Sequence, residues 1–379
     1  MPFINSIMGR DFLKSFRIFC CTLLVFTFCG GIVNAMELSA ESAVIIDAAS
    51  GRVIAEKNAY ERRGMASTTK IMTAVIALEK CNMDETVTVD SRAEGIEGSS
   101  LYLKAGDKIK LEHLLYGMLL KSGNDAAAAV AFHVSGSIED FAKLMTEKAV
   151  SLGLKNTAFK NPHGLYEEGH YTTAYDLAQI TRYAFTLDGF ADMVSAKSYK
   201  IDDDIETKLV VNNNKLLRFY DGADGVKTGY TPETGRTLVG SATRNGMRVI
   251  SVTLSDRDDW NDHIAMFDYA FENYELKKLS EKGQGFGCAR VYGGKEPDVP
   301  CIAEENVSAA VKKGSRVKVI CKTDENLSAP VKKGQKVGTV SFYDGKDLIG
   351  ETSLMAACTA QKAKKLNFFW RIINFFLKK

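Results

Sequence analysis

Apolar residues at Ile71, Met72, Val75 and Ile76 recur at the three-and-four spacing of a helix, and the run predicts one from about Ser67 to Cys81-Asn82. Ahead of it, Ala43-Val44-Ile45-Ile46-Asp47 is a short apolar run, Ala48-Ala49-Ser50-Gly51 turns it, and Arg52-Val53-Ile54-Ala55 returns, which predicts a β-hairpin. Leu111 to Leu120 has helical periodicity, and Asp125 to Val134 is alanine-rich and helical. Between them, Lys121-Ser122-Gly123-Asn124 reads as a break, with the glycine ending the first helix and Asn124 or Asp125 capping the second. Phe141 to Leu152 and Tyr175 to Phe185 predict two more helices, separated by the loop Asn161-Pro162-His163-Gly164-Leu165. The period then changes. Thr237 to Ser241 and Val249 to Leu254 are strand-like, with Asn245-Gly246 as a hairpin turn between them. Before this hairpin, Asp224 to Thr231 reads as a strand in which Lys227 and Gly229 share one side and Thr228 faces the other. Asp262 to Tyr274 closes this region as a helix. After about Leu276 the text turns to glycine, lysine and valine. Ser308-Ala309-Ala310-Val311-Lys312-Lys313-Gly314 and Ser328-Ala329-Pro330-Val331-Lys332-Lys333-Gly334 repeat at a spacing of 20 residues, each followed by a strand-like stretch, as in a small β domain.

The two ends read differently. Arg10, Lys14 and Arg17 precede a nearly apolar stretch from Ile18 to Val33, and Val33-Asn34-Ala35 offers a cleavage site, so residues 1–35 are expected to be a secretory signal peptide. The apolar run is shorter than the roughly 20 residues a spanning helix needs. At the other end, Asn367, Arg371, Asn374 and Lys378 form a narrow polar sector on a helix whose remaining face is apolar, Trp370 included. Such a helix suits a membrane interface, and Lys362, Lys364, Lys365, Lys378 and Lys379 suit anionic head groups. The expected organisation is a signal peptide (1–35), a catalytic domain (36–276), a small β-rich domain (277–358) and an amphipathic membrane-anchoring helix (359–379).

Composition narrows the function classes. At 45% hydrophobic and 25% charged, the chain can bury a large core, and a net charge of +2 gives no reason to expect a nucleic-acid partner. Five cysteines lie beyond residue 35: Cys81, Cys288, Cys301, Cys321 and Cys358. The last four could form two disulfides in any of three connectivities or remain free thiols, and with no Cys-x-x-Cys pair no zinc site is expected. His163 and His170 lack partners at ligand spacing and read as structural or surface residues.

The candidate chemistry begins with Ser67 and Lys70. Three residues apart on a helix they share a face, and a lysine just inside a buried helix is pushed toward the neutral amine that can take a serine's proton. Alone this spacing is weak. Together with Ser122-Gly123-Asn124 between helices and Lys227-Thr228-Gly229 on a strand, in this order, it is the motif set of penicillin-binding proteins and class A β-lactamases. The sequence resembles the serine-type D-alanyl-D-alanine carboxypeptidases, the low-molecular-weight penicillin-binding proteins. Asn161-Pro162-His163-Gly164-Leu165, Tyr171-Thr172-Thr173-Ala174-Tyr175-Asp176-Leu177 and Asp224 to Thr231 extend the likeness. Met65 departs from it, standing where the family usually has proline.

The resemblance implies an α/β (α+β) domain of the penicillin-binding or serine β-lactamase type, with an antiparallel sheet packed by helices, then a small all-β domain. It implies that Ser67 is acylated while Lys70 takes its proton, and that Ser122 relays a proton to the leaving D-alanine. Asn124 would hold the peptide amide or Lys70. Lys227 and Thr228 would bind the substrate's terminal carboxylate, and the Gly229 backbone would lie close to the bound chain. The N–H groups of Ser67 and Tyr230 would form the oxyanion hole. No cofactor or metal is implied. The expected partners are peptidoglycan pentapeptide stems, β-lactams as covalent inhibitors and the outer face of the cytoplasmic membrane. Two rival activities use the same residues. A D,D-endopeptidase would cut cross-links. A β-lactamase would need an efficient deacylating base, for which Glu167 and Glu168 are in the right region but in a Gly169-His170-Tyr171 context that does not match.

Overall fold

The structure is a computed structural model and describes residues 36–202 and 207–364. The expected signal peptide and residues 365–379 of the expected amphipathic helix lie outside these residues, whereas 359–364, the start expected for that helix, is extended instead, with Ala360 bridging Val331 and Lys362 bridging Gly294. Among the described residues no helix is long and apolar enough to cross a membrane.

The catalytic region's strands are β1 (Ser42–Asp47), β2 (Val53–Lys57), β3 (Thr86–Thr88), β4 (Lys108–Lys110), β5 (Ser198–Asp202), β6 (Thr207–Val211), β7 (Ala223–Thr231), β8 (Gly235–Arg244) and β9 (Met247–Asp256). Its helices are α1 (Lys70–Lys80), α2 (Leu111–Tyr116), α3 (Asn124–Ser135), α4 (Ile138–Ser151), α5 (Ala174–Ala184), α6 (Phe190–Ser195), α7 (Leu216–Phe219) and α8 (Asp259–Asn273). Five strands form one antiparallel sheet in the order β2-β1-β9-β8-β7, which joins the predicted N-terminal hairpin to the later one through the β1–β9 pair. All six residues of β1 are buried, the mark of a strand covered on both faces. On β9 the faces separate by alternation. Ile250, Val252 and Leu254 enter the core shared with α1 and α5, whereas Ser251 and Thr253 hydrogen-bond His263 of α8 on the other side.

Lys70 through Ala77 of α1 are all buried, because α3, α4 and α5 surround it. The break predicted at 121–124 is present but works differently. The helix of α2 widens into a π turn over Gly117–Lys121, and the residue in the left-handed region is Ser122, at φ 70°, not Gly123, at φ −54°. A Cβ on Gly123 would stand 3.0 Å from Leu101 Cγ, so the glycine serves packing. Neither Asn124 nor Asp125 caps α3: both lie inside its first turn, and Gly123 is the N-cap.

β10 (Tyr274–Ser280) follows α8 directly and opens the β-rich region, with β11 (Gly285–Arg290), β12 (Asp298–Ala303), β13 (Val307–Lys312), β14 (Val317–Thr323), β15 (Lys336–Asp344) and β16 (Asp347–Ala356). β10 pairs with β13, and the others form a sheet ordered β11-β12-β16-β15-β14 over a core that includes Val299, Val337, Val340, Phe342 and Leu354. The β1–β2 turn docks onto this region. Buried Asp47 accepts the Ala310 N–H at 2.9 Å, and Arg52 reaches Asp344 at 2.7 Å. All five cysteines of the described residues are free thiols, Cys301 buried and Cys288, Cys321 and Cys358 exposed.

Candidate active site

The serine is held by a short turn rather than by the helix itself. Ala66–Thr69 forms one turn of 3-10 helix before α1, entered through Ala66 at φ 46°. The two threonines that follow Ser67 tie this turn to itself: Thr68 Oγ1 donates to the Met65 carbonyl, and Thr69 Oγ1 donates to the Ala66 carbonyl at 2.7 Å. His170 Nδ1 accepts the Lys160 N–H at 3.0 Å, which leaves the ring proton on Nε2, 2.8 Å from Thr69 Oγ1. Burial and then the Lys160 charge depress the pKa of His170 to about 4, so the ring is neutral. Against the same turn packs Gly164, at φ +88°, where a Cβ would come within 1.9 Å of the Ala66 carbonyl oxygen.

Lys70 is fully buried, and its Nζ has three neighbours: Ser67 Oγ at 2.9 Å, Asn124 Oδ1 at 2.7 Å and the His163 carbonyl oxygen at 2.6 Å. Burial first, and the Lys227 charge second, hold its pKa well below the ordinary lysine value, against an opposing pull from Asp125. A neutral amine has two N–H groups and one lone pair. The amide and carbonyl oxygens can only accept, so they take the two N–H groups and leave the lone pair for the one neighbour that can donate, the Ser67 hydroxyl. The arrangement therefore suits removal of the serine's proton.

Asn124 is oriented for this from behind, because its Nδ2 donates to the Glu97 carbonyl and so turns Oδ1 toward Lys70. Asp125, beside it, accepts from the N–H groups of Leu101 and Leu103 and from Ser100 Oγ, which fastens the 97–103 loop to the start of α3. Ser122 projects from its left-handed kink to Lys227, whose Nζ donates to Ser122 Oγ at 3.0 Å and to the Thr228 carbonyl at 2.9 Å. Lys227 is 1% exposed, and burial depresses its pKa to about 7.

Strand β7 carries Lys227 at the edge of the sheet and runs beside the serine. A Cβ on Gly229 would stand 2.9 Å from the Ser67 nitrogen and 2.4 Å from Thr237 Oγ1, so this close approach requires glycine. Thr237, across from Gly229 on β8, in turn donates to the Met65 carbonyl at 3.0 Å and fixes the turn on the strand. Lys227 and Gly229 thus share the face toward the turn, as alternation predicts. Thr228 is half-buried and Tyr230 is 65% exposed.

The structure brings Ser67, Lys70, Ser122, Asn124, Lys227 and Gly229 together from the 3-10 turn, α1, the kink after the π turn, α3 and β7. It also adds residues that spacing did not single out: Asp125, Gly164, His170 and the carbonyl of His163. His163 and His170 are structural, as expected, yet both are buried against the site rather than on the surface. Glu167 accepts from Asn161 Nδ2 at 3.2 Å within its own loop.

Comparison with known proteins agrees with this geometry. The family described as D-alanyl-D-alanine carboxypeptidase matches residues 31–258, and the penicillin-binding protein 5 C-terminal domain matches residues 274–362. The chain is 36% identical over 357 residues to the D-alanyl-D-alanine carboxypeptidase DacF of Bacillus subtilis (strain 168), covering 91% of this chain and 92% of that one. It is 35% identical to DacC of Escherichia coli (strain K12), covering 74% of each. Among solved structures, penicillin binding protein 5 from Haemophilus influenzae superposes with a TM-score of 0.77 at 30% identity, over 86% of this chain and 98% of that one. The chain belongs to the D-alanyl-D-alanine carboxypeptidase family.

Proposed function

We propose that the protein removes the terminal D-alanine from peptidoglycan pentapeptide stems through an acyl-enzyme on Ser67. The observation that carries this reading is the buried Lys70 amine, held by two obligate acceptors with Ser67 Oγ as its third neighbour. In this reading Ser67 attacks the carbonyl between the two D-alanines as Lys70 takes its proton. The N–H groups of Ser67 and Tyr230 receive the developing oxyanion, an interaction of the kind worth about 2.7–4 kcal/mol per donor. Ser122 passes a proton to the leaving amine, and its contact with Lys227 supports that relay. Asn124 holds Lys70 and the substrate amide. Lys227 and Thr228 take the terminal carboxylate, for which a fixed cation is the natural partner.

A penicillin would enter as a mimic of this substrate and remain on Ser67. The enzyme would work outside the cytoplasm, released by a signal peptide and attached to the outer face of the membrane by the segment at 365–379, with the catalytic region at 36–276 and a β-rich region that runs from 277 through 364 between them. Incubation with a muropeptide ending in D-Ala-D-Ala, followed by mass spectrometry, should show the loss of one alanine. The Ser67→Ala variant should lose both this release and labelling by fluorescent penicillin. Release of alanine by that variant would refute the nucleophile, loss of a cross-link instead of one alanine would make the protein an endopeptidase, and fast multiple turnover of penicillin would make it a β-lactamase.

A further inference from the structure

At the far end of the helical layer, three side chains from three different elements converge. Cys81 is the C-cap of α1, Glu85 lies in the turn before β3, and His133 sits in the last turn of α3. Their sulfur, carboxylate oxygen and ring nitrogen all lie within 4.8 Å of one another, with His133 Nε2 3.0 Å from Glu85 Oε2. We propose that Cys81, Glu85 and His133 bind a zinc ion that clamps the ends of α1 and α3 together.

The donor set selects the metal. One thiolate, one imidazole and one carboxylate suit zinc, whereas calcium and magnesium take all-oxygen shells. Bonds of about 2.1 Å to nitrogen and oxygen and about 2.3 Å to sulfur place tetrahedral ligands about 3.4–3.6 Å apart, within reach of the observed spread by small side-chain rotations. His133 and Glu85 are partly open to solvent, with side chains 26% and 43% exposed, so a water completes the fourth position. Glu85 Oε1 accepts the Asn82 N–H at 2.8 Å, which leaves Oε2 directed at the other two groups. Of the nearby cations, Lys110 pairs with Asp84 at 3.6 Å, and Lys80, the last residue of α1, precedes Cys81 in the chain. The backbone adds a favourable field, because a cation here lies at the negative ends of both helix dipoles. On binding, the Cys81 thiol gives its proton to solvent, and the Nε2 proton that His133 directs at the Glu85 carboxylate moves to Nδ1 or to solvent, which frees Nε2 for the ion.

The consequence reaches the serine indirectly. α1 starts at Lys70 and α3 starts at Asn124, so the ion would fix the two helices about 16 Å and about 14 Å along their axes from the residues whose amine and amide meet. It is a structural clamp, remote from the reacting atoms.

Cobalt(II) titration of the reduced full chain tests the site, because a tetrahedral thiolate-bound cobalt gives a charge-transfer band together with visible d–d bands. The expected result is one equivalent bound, displaced by zinc. The band should be lost in Cys81→Ser and retained when Cys288, Cys321 and Cys358 are all replaced by serine. His133→Ala should weaken binding by more than about tenfold, since even outer-shell changes cost about 10–100-fold at such sites. Zinc should raise the melting temperature of the unaltered protein and not that of His133→Ala, with labelling by fluorescent penicillin confirming that each variant is folded. A chain that gives no band, a band that survives Cys81→Ser, or a zinc-induced thermal shift that survives His133→Ala would overturn the proposal.

Discussion

Lys227 brings an ammonium group to a place that is 1% exposed, where the Ser122 hydroxyl and the Thr228 carbonyl solvate it. Burial is the cause of its pKa near 7, and the sign of the consequence is fixed: the group is charged below that pH and neutral above it. With Lys227 as the proposed partner of the substrate carboxylate, the charged form is the one required, so kcat/KM for a D-Ala-D-Ala peptide should fall as pH rises through about 7 in the free enzyme. Lys70 works in the opposite sense, since it must be neutral, and the Lys227 charge is one of the two forces that keep it so. The Lys227→Arg variant, which stays charged, should move the alkaline fall to higher pH. A pH profile with the same alkaline limb in both proteins would detach that limb from Lys227.

The elements that hold the serine are a one-turn 3-10 segment, a strand lying against it and a loop pressed onto it from the other side. Gly164 is the tightest point of that arrangement, because it combines φ +88° with a missing Cβ 1.9 Å from the Ala66 carbonyl. Gly164→Ala is expected to cost about 2–4 kcal/mol from left-handed strain and overpacking. It should slow penicillin labelling as the turn shifts, which thermal melts and labelling rates would measure. An unchanged labelling rate would mean that the turn adjusts without moving Ser67. Much of this layer was legible in the sequence: helical spacing pointed to α1, the Ser122-Gly123-Asn124 run to the break at 121–124, and Asn245-Gly246 to the hairpin. The kink itself was misplaced onto Gly123, since propensity favours glycine there. The left-handed residue is Ser122, and Gly123 instead leaves room for Leu101. The His163 carbonyl, Gly164 and His170 stayed hidden for a different reason. They act through main-chain atoms, close approach and contacts a hundred residues apart, which leave no periodic trace. The Cys81, Glu85 and His133 cluster was hidden in the same way, and spacing had argued against any zinc site.

At the scale of the molecule, the β-rich region is joined to the catalytic region by buried charge as well as by chain continuity. Arg52 and Asp344 have side chains only 10% and 7% exposed, and Arg52 also donates to the Ala310 carbonyl. Removing Arg52 leaves the buried Asp344 carboxylate with the Lys312 N–H at 3.2 Å but without its cation, a cost below the roughly 3–5 kcal/mol of a fully unpaired buried charge. Arg52→Ala should therefore give the β-rich region its own, earlier transition in calorimetry while alanine release from a short soluble peptide stays intact. A single transition at the original temperature would show that the docking does not depend on this pair. The sheet order β2-β1-β9-β8-β7 has a last consequence, because among the described residues β7 has a strand on one side only and Ser67 beside it. Its outer edge offers main-chain donors and acceptors to any extended chain that lies alongside. A stem peptide read in this way is read by its backbone and its end, almost regardless of its middle side chains. Exchanging the third stem residue should then change KM little, whereas amidating the terminal carboxylate should raise it strongly. The reverse order would move recognition from the ladder to side-chain pockets. An enzyme with this habit would tolerate chemical variety in the wall while insisting on a free C-terminus.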